Sequence, residues 1–327
     1  MQQRTEMKRG IMAAVGVFLF MTGIVSAQDK FPSRPIQLVV PLAAGTTIDF
    51  VARAYAERLS QRLGQTVVVQ NRPGAGGTIA GQFVAKSAPD GYTILIVNSQ
   101  HTINPTLYRN LPYDTLAEFS GIAQIGEAPS LVVVHPKLGA RTLKEFIAIA
   151  KQRPRQINYG SAGVGTTTHI GAAYFFSRAG IDLVHVPYKG GELIADMVSG
   201  RVEAMVVPVA FLLQYIKDGR LQALGVTTRE SLQSPLEVPS IEQAASLPGF
   251  QYATYYGFVA PAKTPRSIIE QLSKDIRQVT EEKELKEKFA AQAIFPRDLG
   301  PADFDAFIRA DLDRLGPIIK AIGADSN

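Results

Sequence analysis

Ile36-Gln37-Leu38-Val39-Val40-Pro41-Leu42-Ala43-Ala44-Gly45-Thr46-Thr47-Ile48-Asp49 reads as a strand, a loop of small residues and the opening of a helix. The apolar run has the length and branching of a buried strand, and Phe50, Val51, Ala54, Tyr55, Leu59 and Leu63 then recur at helical spacing up to Gly64. The same unit repeats along the chain. Thr66–Val69 and Thr93–Val97 are the next expected strands, with a helix over Gly77–Ser87 between them. Further strands are expected at Leu131–His135, Ile157–Tyr159, Leu183–Val186, Ala204–Val207 and Leu221–Val226. Helices are expected at about 142–153, 166–179, 191–199 and 211–218. Strands alternating with helices define an α/β fold built on parallel sheets with both faces covered.

Residues 28–327 exceed what one ordinary core holds, and two lobes follow. Ala128-Pro129 leads into one β-rich run and Tyr252–Ala260 is another. Read as crossover strands, they assign 28–128 plus 253–327 to lobe 1 and 129–252 to lobe 2, with a ligand cleft between. The stretch 265–323 is helical by pattern and lacks strong strands.

Residues 1–27 read as a secretory signal. Arg4, Lys8 and Arg9 precede the apolar run Ile11–Ile24, and Val25-Ser26-Ala27 supplies a small-x-small cleavage site. Cleavage after Ala27 into the periplasm is expected. The chain has no cysteine, so neither a lipid anchor at the cleavage site nor disulfides are available to it. The net charge of +5 includes those three cations and Glu6, and no basic run is interleaved with aromatics. Nucleic-acid binding therefore has no support.

In an open α/β sheet, ligands lie beyond the carboxyl ends of the strands, at the strand-to-helix loops. In the first loop, Ala43, Ala44, Thr46, Thr47 and Asp49 are candidate ligand residues. Thr46 or Thr47 is placed to cap the helix and Asp49 to complete a capping box, leaving N–H groups and the helix dipole as an anion cradle. The second loop, Tyr159 to His169, places Ser161, Ala162, Gly163, Thr166 and Thr167 in the same role. It nearly spells a P-loop, but Thr166 stands where the phosphate-binding lysine belongs, leaving a neutral nest suited to a carboxylate. Ser99, just after the third strand, is a third candidate.

No catalytic group is expected: there is no thiol, no Gly-x-Ser-x-Gly elbow, and no recognisable acid/base carboxylate pair. His101, His135, His169 and His185 have no metal-ligand spacing, so no metal or cofactor is expected.

Several segments occur together in order: Phe31-Pro32-Ser33-Arg34-Pro35-Ile36, Asn71-Arg72-Pro73-Gly74-Ala75-Gly76-Gly77, Pro89-Asp90-Gly91-Tyr92-Thr93, Asn104-Pro105-Thr106-Leu107-Tyr108, Gly160-Ser161-Ala162-Gly163, His185-Val186-Pro187-Tyr188-Lys189-Gly190 and Ala260-Pro261. The chain resembles the Bug family, the TctC-like receptors of tripartite tricarboxylate transporters. The resemblance implies a periplasmic, monomeric solute-binding protein of two α/β lobes joined by crossover strands. Its partners would be a small carboxylate and the transporter's membrane subunits. It further implies that the ligand's carboxylate is held by Ala43–Asp49 and Ser161–Thr167. The sequence departs from the family's Pro-Pro-Gly-Gly run at Ala43-Ala44-Gly45-Thr46, which leaves the ligand's identity open. A sensor feeding a membrane kinase and an exported carboxylate-processing enzyme are the alternatives in function.

Overall fold

The computed structural model describes residues 31–188, 192–321 and 323; the expected signal, 1–27, lies outside them. The first half runs β1 (Ile36–Val40), α1 (Thr47–Leu63), β2 (Val67–Asn71), α2 (Thr78–Ala85), β3 (Thr93–Asn98) and α3 (Gln100–Leu107). A long strand, β4 (Phe119–Val134), then leads to α4 (Leu143–Gln152), β5 (Asn158–Ser161), α5 (Thr167–Ala179) and β6 (Val184–Pro187). Next come α6 (Glu192–Ser199), β7 (Ala204–Pro208), α7 (Val209–Lys217), β8 (Gln222–Val226) and α8 (Ile241–Ala245). The chain closes with β9 (Ala253–Pro261), α9 (Arg266–Thr280), α10 (Lys283–Ala290), β10 (Phe295–Leu299) and α11 (Pro301–Ala321).

The strands form one curled sheet in the order β2-β1-β3-β9-β4-β7-β5-β6, with β10 and β8 also paired to β4. Only the outer thirds are parallel: β2-β1-β3 on one side and β7-β5-β6 on the other. The middle is antiparallel, because β9 and β4 run against their neighbours and against each other. The outer thirds are the expected parallel sets, and the two expected crossover strands between them make the middle antiparallel. The cause is topological: two strands crossing between the halves in opposite directions cannot both be parallel to the rest.

β4 is far longer than the expected Leu131–His135. Its first part pairs with β9 and β10, and its last part with β7 and β8. Pro129, which has no N–H to donate, stands where the partners change, and the Ser130 N–H finds the Thr227 hydroxyl at 2.8 Å. Beyond that point side chains alternate between two cores, Val132 and Val134 on one face and Leu131 and Val133 on the other. Each such burial is worth roughly 1.5–3 kcal/mol relative to exposure.

Three other elements were not foreseen. Gln100–Leu107 is a helix despite Pro105 within it. β10 is nearly all exposed, so it carries no apolar pattern; its ladder on β4 and the ion pairs Arg297–Glu127 and Arg277–Asp298 hold it. α8 is a short helix capped by Ser240.

α11 joins the two sides. Phe304 and Ile308 pack with Val39, Leu95, Val97 and Val259, whereas Leu315 and Ile319 pack with Val132, Ile170 and Tyr252. Ile103 and Leu107 of α3 enter that second core too. Thr102 donates to the buried Asp311 at 2.6 Å, and Arg314 donates to Asp311 and to the Gln251 carbonyl. α3, α11 and the approach to β9 are thereby pinned by one carboxylate.

Gly257, in the middle of β9, lies directly under α11. A Cβ there would fall 2.8 Å from the Ala123 carbonyl oxygen and closer still to the Phe304 ring. Gly257→Ala should cost about 1–3 kcal/mol by overpacking. The check is the urea unfolding midpoint, which should fall; an unchanged midpoint would show that Phe304 yields freely.

Candidate functional site

The register of β4 shows where the loop-bearing ends meet. Asn98, the end of β3, pairs with Tyr256, which pairs with Gly126. Pro208, the end of β7, pairs with Ser130. The carboxyl ends of both parallel sets therefore point at the same short stretch of β4, about 13 Å long at 3.3 Å per residue.

The two candidate loops are built alike. Gly45 and Gly165 both adopt positive φ, 84° and 75°, where a side chain would be strained. Each is followed by a threonine in extended conformation at the helix N-cap: Thr46 has φ −77° and ψ 161°, and Thr166 has φ −72° and ψ 162°. Each threonine hydroxyl donates backwards three residues, Thr46 to the Ala43 carbonyl at 2.8 Å and Thr166 to the Gly163 carbonyl at 2.7 Å. Each glycine N–H donates forward four residues, Gly45 to the Asp49 carboxylate at 2.9 Å and Gly165 to His169 Nδ1 at 3.1 Å. The shared pattern is Gly-Thr-Thr-x-(Asp/His), and a second threonine, Thr47 or Thr167, begins each helix.

This arrangement revises the expected capping box. Thr46 makes no side-chain cap, because its hydroxyl turns back to Ala43, and Asp49 reaches Gly45 rather than the cap residue. Asp49 is 3% exposed and also accepts from Asn71 at 2.8 Å and Arg53 at 3.0 Å. Burial works to raise its pKa, but the bonds from Arg53, Gly45 and Asn71 outweigh it and hold the carboxyl below its ordinary value. Asp49 is thus an ionised brace for the loop, its carboxylate turned inward. Asn71 also donates to the Leu42 carbonyl, so β2 supplies the second half of the brace.

The second loop is braced by its own side chains. Ser161 is fully buried; its hydroxyl lies 2.6 Å from His185 Nε2 and 3.2 Å from the Gly163 N–H. The Ala162 N–H donates to the Thr168 hydroxyl at 3.0 Å. Ser161, Ala162, Gly163 and Thr166 therefore use their polar groups on the loop itself, on Thr168 of α5 and on His185 of β6. Ser99 is also withdrawn: it is 1% exposed and joins the Ala253 carbonyl and the Tyr255 N–H. Among the described residues no protein acceptor takes the first-turn N–H groups of Thr47 or Thr167. Those donors stand at the positive ends of a 17-residue and a 13-residue helix. Ala43 and Ala44 are exposed beside the first of them.

Sequence reasoning missed the histidine pair behind the second loop. The rings of His169 and His185 stack in parallel, 4.0 Å between centroids, and Tyr159 stacks on His185. The signal lay in the strand register, since parallel β5 and β6 set Tyr159 opposite His185. Burial, and then the neighbouring His185, push His169 down to about 4; burial lowers His185 as well. Among the described residues no group of three potential metal ligands assembles.

The fold, one curled mixed sheet flanked by helices, is that of an α/β solute-binding protein. The chain matches the tripartite tricarboxylate transporter family receptor over residues 51–324 and belongs to that family. It is 32% identical to Protein BugT of Bordetella pertussis over 96% of this chain and 98% of that protein. An R. palustris protein solved with adipate is 31% identical, with TM-score 0.76, over 90% of this chain and 98% of the other. MatC from Rhodopseudomonas palustris, solved with malate, is 25% identical with TM-score 0.74, over 88% and 100%. The periplasmic binding protein BugD is 27% identical with TM-score 0.75, over 91% and 100%. No helix among the described residues is long and apolar enough to cross a membrane.

The depressed His169 pKa fixes the sign of a pH effect. Between about pH 6.5 and pH 4 the unfolded chain takes up a proton at this histidine and the native loop does not. Stability therefore falls as pH drops through that window and is restored above it. His101, pushed down to about 4 by burial, adds to the same slope. His169→Asn keeps an acceptor for the Gly165 N–H and should flatten the dependence. Urea titrations at several pH values between 4.5 and 7.5 measure this, and an undiminished slope in the variant would contradict it.

Proposed function

We propose that this protein captures a small carboxylate in the periplasm and delivers it to the membrane subunits of a tripartite tricarboxylate-type transporter. The lobes, 28–128 plus 253–327 and 129–252, close on the ligand, with α3 and α11 bridging them. The observation that carries this reading is the pair of matched Gly-Thr-Thr loops, one from each lobe, each presenting free N–H groups at a helix N-terminus. A carboxylate needs several donors in a small space, and oriented amides supply them without a neutralising cation. The adipate and malate held by two structural relatives support this ligand class.

In this reading Thr47 and Thr167 carry the direct contacts, together with the backbone of Ala43, Ala44 and Thr46. Asp49, Ser161, Ala162, Gly163 and Thr166 hold the loops in shape, and Ser99 ties β3 to β9. A ligand touching both loops stabilises the closed form in proportion to its preference for it, and the transporter reads that form. No chemistry on the ligand is required, so the role is binding and release without turnover.

Proline tests the backbone donors directly. Position 47 and position 167 are first helical residues preceded by extended threonines, a context that accepts proline with little cost to the fold. Thr47→Pro or Thr167→Pro deletes one N–H. Each should weaken adipate binding by about 1–3 kcal/mol, measured by isothermal titration calorimetry, with Thr→Val at the same position as the control for the hydroxyl. Wild-type affinity in both proline variants would overturn this reading.

A further inference from the structure

The side chains around the donor loops are apolar, and this narrows the ligand. Among the described residues, Val164 and Phe211 are two of the few large hydrophobics left exposed, at 55% and 47%. Their positions in the fold are related. β5 and β7 are parallel neighbours, paired at Tyr159 with Ala204 and Gly160 with Met205. Val164 lies three residues past the end of β5 and Phe211 three past the end of β7, so both stand on the same edge of the sheet as the second donor loop. Exposed alanines complete the surface: Ala162 and Ala210 on this side, Ala43 and Ala44 on the other.

Charge is absent from these same loops. The segments following β1, β5 and β7 contain no charged residue before the helices start, and Asp49, in the first turn of α1, is buried. Arg53, one turn into α1, is committed to Asp49 and Asn71. Threonine and serine hydroxyls of the second loop are turned inward, as Ser161, Thr166 and Thr168 show. The cleft margin thus offers backbone donors to a carboxylate head and apolar surface to whatever is attached to it. Among the described residues of the loops after β1, β5 and β7, no side-chain cation is offered to further carboxylates along the ligand's body, and few groups to hydroxyls.

We infer that the ligand is a carboxylate with a hydrocarbon body, of the length of a medium-chain aliphatic acid, rather than a hydroxylated or tricarboxylic one, with Val164 and Phe211 as its specificity-determining contacts. The inference rests on the carboxylate-binding role proposed above and deepens it. An unbranched methylene chain loses water against Val164 and Phe211 as the lobes close, at about fourfold in affinity per methylene buried. A hydroxyl placed there loses its water partners without finding new ones.

The test is a calorimetric series on the mature protein with succinate, adipate and suberate, and with malate and citrate as polar counterparts. Affinity should rise with chain length from succinate to adipate, and malate should bind no more tightly than succinate. Phe211→Ala, at an exposed position where folding is little at risk, should lower adipate affinity about tenfold while flattening the dependence on chain length. Val164→Ala should act in the same direction and more weakly. Tighter binding of malate or citrate than adipate overturns the inference, as does an unchanged adipate affinity in Phe211→Ala, which would leave that ring to a protein partner. If no carboxylate in the series binds, the carboxylate-binding role itself fails, and the inference with it.

Discussion

One strand holds the molecule together. β4 is 16 residues long and belongs to both halves of the sheet, trading β9 and β10 for β7 and β8 at Pro129 and Ser130. Everything else is placed relative to that exchange. The antiparallel middle follows from it, because a second crossing strand, β9, must return the chain in the opposite direction. The carboxyl ends of the two outer parallel sets point at the same few residues of β4, so the strand also decides where the two candidate loops lie. The α11 helix and the Thr102–Asp311–Arg314 cluster tie the two sides on the flank.

On the proposed reading, the matched loops recognise an anion without a cation. A lysine would add attraction, but it would also hold its own water and favour any anion. Helix N-termini give fixed, oriented partial charge within a small radius. The cost is that the loop must be held rigidly, since a mobile amide loses its advantage. Here the bracing differs by lobe. The first loop is held by an ionised carboxylate with three hydrogen-bond donors, and the second by neutral imidazoles stacked on each other. The same backbone shape is reached with Asp49 in one case and His169 in the other, because both present an acceptor to a glycine N–H four residues earlier.

Much of this was legible in the sequence because it is local. Ile36–Val40 is apolar at every position but Gln37, and Gly64 and Gly180 end their helices in the left-handed conformation that glycine favours. The two loops stood out for the same reason, as glycine and hydroxyl clusters between a strand and a helix. What could not be read is whatever depends on partners far away in sequence. The first part of β4 contains Ser120, Gln124 and Glu127; it is a strand because β9 and β10 flank it, and Glu127 is tolerated there because Arg297 meets it at 2.6 Å. Pro105 concealed α3, whose stability comes from Ile103 and Leu107 in a core built mainly by another part of the chain. Within the loops, residue type told which groups are donors, but only the folded geometry told which of them are already taken. Ser161 and Asp49 are the clearest examples, both conspicuous in sequence and both turned inward.

The central claim is that amides at the two helix N-termini bind the ligand's carboxylate together. Backbone amide NMR of the mature protein, titrated with adipate, observes this directly. The account predicts large, saturable changes at both Thr47 and Thr167 that follow a single binding isotherm, because hydrogen bonding to a carboxylate shifts the amide that donates. Saturable binding that leaves both amides unmoved, or moves only one, would contradict it.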